Sequence, residues 1–203
     1  MESQNKYLGD DKFKKFLEHY DCPTPLGVVK MKFAGALCSP NMNLRPTDVI
    51  SSFWPDGRAP RLETKEEADL FFKFFMGLWD DVFEKIKENN VKLEPKFKKT
   101  ESEAELLDLC RLRFDETEFG FIEGFWGGQE NLKLPAYLAQ LMDSMSQMAE
   151  IYSRLLKKIE AKADLAEVQK HLKATDAMIE KTIAFVVENS VLPRIESLQR
   201  TVH

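Results

Sequence analysis

From residue 129 onward the chain contains no glycine, and its apolar residues fall into two series stepped by three and four. Leu138, Leu141, Met145, Met148, Tyr152, Leu155 and Ile159 form the first, and Leu165, Val168, Leu172, Thr175, Ile179, Thr182 and Val186 the second. Steps of three and four keep one face of an α-helix apolar and do not fit the period of two that a strand requires. The link between the series, Glu160 to Asp164, is short, and a short link makes neighbouring helices run antiparallel. Asp164 and Glu167 offer a capping pair at the start of the second arm. Each arm spans roughly 40 Å at ~1.5 Å per residue. Pro193 is expected to end or kink the second one, because it lacks an N–H and its ring crowds the preceding turn.

The rest of the chain also reads as helix. Phe13, Phe16, Leu17 and Tyr20 have helical spacing, and the run Asp21-Cys22-Pro23-Thr24-Pro25 breaks it. Leu26 to Cys38 makes a second helix, stopped by Pro40, and Pro46 suits the first turn of a short helix through Phe53. Trp54 to Arg61 reads as a loop. Thr64 and Glu67 form a capping box that opens a helix whose wide apolar face, Phe71 to Ile86, places it at the centre of the core. Asn89-Asn90 ends it. Ser102 or Thr100 caps a further helix to about Phe114. Asp115-Glu116-Thr117-Glu118 reads as another capping box, opening a separate helix through Phe125 that Gly127-Gly128 ends. The expected fold class is all-α: a multihelical globular body over residues 1–128, then a long antiparallel helical hairpin over residues 129–203. The hairpin either stands apart or packs on the body as one domain. At least half of the residues should be helical, with no sheet of three or more strands.

Composition narrows the function classes. An apolar fraction of 43% with fifteen Phe and three Trp supports a packed core. The net charge of −5 shows no basic stripe, which disfavours nucleic acid and anionic membranes as partners. No apolar run follows the charged start, and none approaches the ~18 residues of a membrane-spanning helix, so neither a signal peptide nor a bilayer span is expected. Cys22, Cys38 and Cys110 are scattered and lack Cys-x-x-Cys spacing. That points to reduced thiols in a cytoplasmic protein and to no zinc ribbon. No phosphate-binding glycine loop and no nucleophile elbow is present.

The segment Phe33-Ala34-Gly35-Ala36-Leu37-Cys38-Ser39-Pro40 resembles the end of the hallmark Leu-Asp-Gly-Phe-Leu-Thr-Ala-Leu-Leu-Cys-Gly-Pro of the YecA/YgfB-like family of uncharacterised bacterial proteins. Pro46 to Trp54 is similar to the family's Pro-started segment ending in Trp. Glu63 to Val82 is similar to its acidic run and following helix, and Gly120-Phe121-Ile122-Glu123-Gly124 to its Gly-Phe-x-x-Gly helix. The resemblance covers about residues 13–128. Here the family's Leu-Asp-Gly is Val29-Lys30-Met31, and Thr117 stands where the family has a Trp. The Cys-rich zinc-binding tail of YecA-type members is absent, with the hairpin in its place. The resemblance implies an all-α fold and transfers no catalytic residue.

Candidate sites are few. Gly120 and Gly124 lie one turn apart, which serves close helix packing or the approach of backbone to a ligand. Trp54, Glu123 and Trp126 are the candidate ligand-binding residues, with Glu123 the polar group among aromatics. Cys38, at a helix C-terminus, reads as a buried thiol. Glu167 and His171, one turn apart, read as a solvated face rather than a metal pair. His203 reads as a frayed end. No catalytic residue, metal or cofactor is expected. Ile151, Leu156, Phe185 and Val187 lie off the two seams and need cover from the body or from another subunit. The reading that follows is a non-enzymatic interaction or adaptor module that forms a homodimer, with Met178 and Phe185 at the interface and a further protein partner. The alternative is a small-ligand binder or enzyme using a pocket near Trp54, Glu123 and Trp126.

Overall fold

The computed structural model describes residues 6–129 and 132–201; His203 lies outside them. Among these the chain is helical without a strand. The helices are α1 (Asp10–His19), α2 (Leu26–Cys38), α3 (Pro46–Ser51), α4 (Lys65–Lys87), α5 (Glu103–Asp115), α6 (Glu123–Trp126), α7 (Ala136–Glu160), α8 (Leu165–Val186) and α9 (Leu192–Thr201). A 3₁₀ turn, Pro55–Gly57, lies in the loop after α3.

Three of the four predicted N-terminal caps form, one of them rearranged. Thr64 accepts from the Glu67 amide at 3.1 Å, but the Glu67 carboxylate returns to the amide of Glu63, one residue before the cap. Ser102 caps α5 and Asp164 caps α8. Asp115-Glu116 is not a helix start. Asp115 has helical dihedrals and no cap bond, and the chain passes from α5 to α6 through a π-helical stretch, Glu116–Ile122. The Thr117 hydroxyl donates to the Arg113 carbonyl at 2.8 Å, occupying the acceptor that an α-helical amide four residues on would use. The same device recurs in the hairpin. The Asn189 side-chain amide donates to the Phe185 carbonyl, and π-helical Val187–Val191 follows α8. Pro193 therefore does not end the arm. The wider turn takes up the missing N–H, and the helix continues as α9 to Thr201.

The central helix is α2 rather than α4: Gly27 and Leu37 alone on α2 escape full burial. α4 buries one face, through Phe71, Phe75, Leu78, Val82 and Ile86, and leaves Leu70 and Phe72 exposed. Phe75 centres an aromatic cluster, with ring centroids 5.0 Å from Phe71, 5.3 Å from Phe16 and 5.4 Å from Phe13, and a stacked contact to Phe53 at 5.7 Å. Against the other side of α2 lies the π-helical stretch and α6, backbone against backbone. A Cβ on Gly124 would stand 2.2 Å from the Lys32 carbonyl oxygen, and one on Gly35 2.0 Å from that of Phe121.

α7 and α8 form the predicted antiparallel hairpin: Tyr152 meets Asp176, and nearer the link Lys158 meets Glu167. Its seam holds Met142, Met145, Tyr152, Leu155 and Ile159 against Val168, Leu172, Ile179 and Ile183. Ile183 replaces the expected Thr182, because a straight helix drifts from a strict seven-residue repeat. Thr175 is buried in the seam with its hydroxyl bonded to the His171 carbonyl. The hairpin packs on the body within one apolar core that includes Leu106 and Cys110 of α5. That packing buries Val187 and partly covers Ile151 and Leu156. From α9, Arg194 donates to the carbonyls of Ser39 at 2.8 Å and Leu37 at 3.3 Å, closing the C-terminus of α2.

Substituting Gly124 by Ala should cost roughly 1–3 kcal/mol, since neither backbone can yield without shifting a helix. Urea unfolding of the variant measures this. Unchanged stability would mean that the two backbones are not in contact.

Candidate functional site

Two sets of polar side chains lie inside the fold, and their exposures give them different uses. The first is closed. Arg113 and Glu116 are both 0% exposed. The guanidinium donates to Glu116 Oε2 at 2.6 Å, to Asp176 Oδ2 at 3.1 Å and to the Pro95 carbonyl. The Tyr152 hydroxyl completes the set, donating to Asp176 Oδ1 at 2.8 Å. Five segments meet here: α5 with its π-helical continuation, α7, α8, the loop after α4, and α2. α2 contributes Gly27, where a Cβ would stand 2.2 Å from Glu116 Oε1. That loop is held to α8 by the Leu93 amide on Glu180 and the Thr100 amide on Gln169. No hydrogen bond of normal geometry reaches Glu116 Oε1. Burial pushes the Glu116 carboxyl up to about 7, against the opposing pull of Arg113. Burial also raises Asp176 and Tyr152. Solvent does not reach Arg113 or Glu116, and the cluster fastens the interior from within.

The second set is open. A groove of about 660 Å³ runs between α2, α3 with the loop before it, and the end of α6. Lys32, Leu44, Val49, Glu123 and Trp126 line it, with Asp48 and Ser52 from α3. Lys32 Nζ bonds Glu123 Oε2 at 2.9 Å. Asp48 is held by a two-point contact from Arg45. Gly127, left-handed at φ 55°, ends α6, and a Cβ there would press on Leu44 at 2.8 Å. The glycine thus allows the groove wall to close against that leucine.

The structure brings Glu123 and Trp126 together in this groove but not Trp54. The Trp54 ring is buried against Phe71 and Phe75, and its indole N–H donates to the Tyr20 carbonyl at 3.0 Å. Lys32 is the groove residue missed in the sequence. A lysine flanked by Met31 and Phe33 in a helix apolar on every side was the available signal. Gly120 and Gly124 both face α2 at close range, Gly120 against Met31. Met178 and Phe185 stay exposed on the outer face of α8, at 51% and 46%. Cys38 is buried, and its thiol is pushed up to about 12 by that burial. His171 and Glu167 lie 3.5 Å apart on the exposed face. Among the described residues no three or more His, Cys, Asp or Glu side chains are grouped so as to hold a metal ion. No helix among them is long and apolar enough to cross a membrane. No family model, no curated protein and no solved structure matches the chain.

The buried cluster has a measurable signature. The folded Glu116 carboxyl holds its proton to about 7, whereas the ordinary value is 4.5. The native state thus binds more protons between those values, and this group's contribution to stability falls as pH rises through that window. Glu116→Gln removes the contribution and keeps an acceptor for Arg113. Relative to the parent, the variant should gain roughly 1–3 kcal/mol between about pH 5 and pH 8. Parallel denaturation curves at the two pH values test it, and an equal difference at both would show that Glu116 is ionised throughout.

Proposed function

We propose that the protein is a cytoplasmic, non-enzymatic interaction module that self-associates through the outer face of its hairpin. The observation that carries this reading is the pairing of a closed polar cluster with an open apolar stripe. Arg113 and Glu116, at the centre of the polar cluster, are sealed from solvent, while Met178 and Phe185 on α8 and Tyr137 on α7 remain exposed. Tyr137, Leu141 and Phe185 line one shallow groove between the arms. The YecA/YgfB-like motif order of residues 13–128 belongs to the same reading and brings no catalytic residue with it.

The α8 stripe suits a second copy of itself. His171, Ala174, Met178, Lys181, Phe185 and Glu188 follow one another in steps of three and four, so they share one side of the helix. Two such helices, antiparallel about a two-fold axis, seat each Phe185 over the small Ala174 of the other copy. The same register sets Glu188 against His171 and Lys181 beside Met178. Knob and hole then match in a single register, as an isologous interface needs. The Met178 and Phe185 side chains are out of the monomer's core, so replacing them tests association without loosening the fold. Light scattering on the parent should give twice the monomer mass at micromolar concentration. The Met178→Glu, Phe185→Glu pair should give the monomer mass with an unchanged far-UV spectrum. A monomeric parent sinks the proposal, as does a variant that remains dimeric.

A further inference from the structure

The groove beside α3 lies on a different face from the hairpin stripe and asks for a different occupant. Its volume of about 660 Å³ falls in the range of sites for small organic molecules. Leu44 and Val49 furnish carbon surface from the α3 side and Trp126 an indole face from the α6 side. The ion pair on its α2 side is unequal. The Lys32 side chain is 10% exposed and that of Glu123 51%. The lysine stem is enclosed by the packing of α2, whereas much of the Glu123 side chain is in water.

An ammonium group carries three N–H donors. Lys32 spends one on Glu123, its hydrogen-bond partner among the described residues. Glu123 is therefore the replaceable member of the pair. Turning it outward leaves a solvated carboxylate, but Lys32 left alone is a nearly buried cation without a counter-charge, which is costly. Whatever takes Glu123's place has to bring a negative charge of its own. One buried cation matches one anionic charge. With Glu123 close by and Asp48 already balanced by Arg45, a doubly charged phosphate gains no second cation here.

We propose that the groove binds a small monocarboxylate with an apolar body. The ligand carboxylate displaces Glu123 from Lys32 Nζ, and its carbon skeleton lies between Trp126 and the Leu44–Val49 wall. Glu123 acts as an internal stand-in, covering the lysine in the empty groove and competing with the ligand for it.

That competition sets the test. The intact protein is titrated calorimetrically with 4-phenylbutyrate, 4-phenylbutylamine and inorganic phosphate. The carboxylate should bind saturably with one site per chain, and the amine and phosphate should not. Lys32→Met, which keeps the length and apolar stem of the side chain, should weaken 4-phenylbutyrate binding at least about tenfold, the loss of one charge-assisted contact. Glu123→Gln should tighten it severalfold, because the neutral amide is a weaker competitor. Melting temperatures confirm that both variants are folded, and Glu123→Gln keeps the test open should the lysine variant not fold. Any one of four results overturns the proposal: no saturable binding up to about 10 mM, a limit generous for a ligand of this size; the amine binding as tightly as the acid; folded Lys32→Met binding like the parent; or Glu123→Gln binding more weakly. Repeating the titration on the Met178, Phe185 double variant separates this site from the state of association.

Discussion

The close approach of two helical backbones is the condition on which the remaining structure rests. α2 touches the segment from Glu116 to Trp126 backbone to backbone at Gly35 and Gly124, and Gly120 admits Met31 of α2 at the same crossing. Contact at that range multiplies weak dispersion contacts and leaves no room for water. It also fixes what α2 can offer elsewhere. With its glycine edge spent on that partner, its opposite side presents Phe33 to the ring cluster around Phe75, at 6.2 Å between centroids. Its two internal lysines emerge at its margins. Lys30 meets Asp10 and Glu94, and Lys32 meets Glu123. The groove exists because Lys32 has to surface somewhere along a helix that is enclosed elsewhere.

The buried Arg113 cluster performs the complementary task of joining hairpin to body. Apolar packing alone is tolerant of sliding, since one methyl group replaces another at little cost. A guanidinium that bonds α8, its own helix and the loop after α4 has one satisfactory arrangement, and losing one partner strands a charge in a dry interior. Asp176 is shared between Arg113 and Tyr152, so the register of the two arms and the seating of the arms on α5 are settled at the same carboxylate.

Helices, caps and the hairpin were legible in the sequence because each depends on residues within a turn or two of one another. Thr64, Ser102 and Asp164 cap where their chemistry predicts, and the glycine-free seams pair as their spacing requires. What escaped depended on the surroundings that the fold gives each group, whether the partner is near or distant along the chain. Asp115-Glu116-Thr117-Glu118 has the composition of a helix start, yet Glu116 is drawn inward by Arg113 and Thr117 turns back on the helix before it. Trp54 looks like a site residue beside Glu123 and Trp126 until α4 brings Phe71 and Phe75 against it. Lys32 stands out in its apolar helix, but its partner Glu123, 91 residues further on, is set by the fold. Pro193 does not stop the arm for a different reason. Its helix-breaking effect is real in an isolated helix, but a π-helical turn upstream absorbs it.

The contact of Arg194 with the end of α2 has a consequence for the order in which the molecule is completed. The carbonyls of Leu37 and Ser39 are made early in synthesis, and the side chain that satisfies them arrives some 155 residues later. Until then the C-terminus of the most enclosed helix has only water to bond, so the middle of the protein cannot be fully dried before its last helix docks. Contacts of such sequence separation slow folding, because the entropy of closing the loop is spent before the contact returns anything. A nascent chain lacking α9 therefore resembles the finished protein in secondary structure while its central helix remains partly wet.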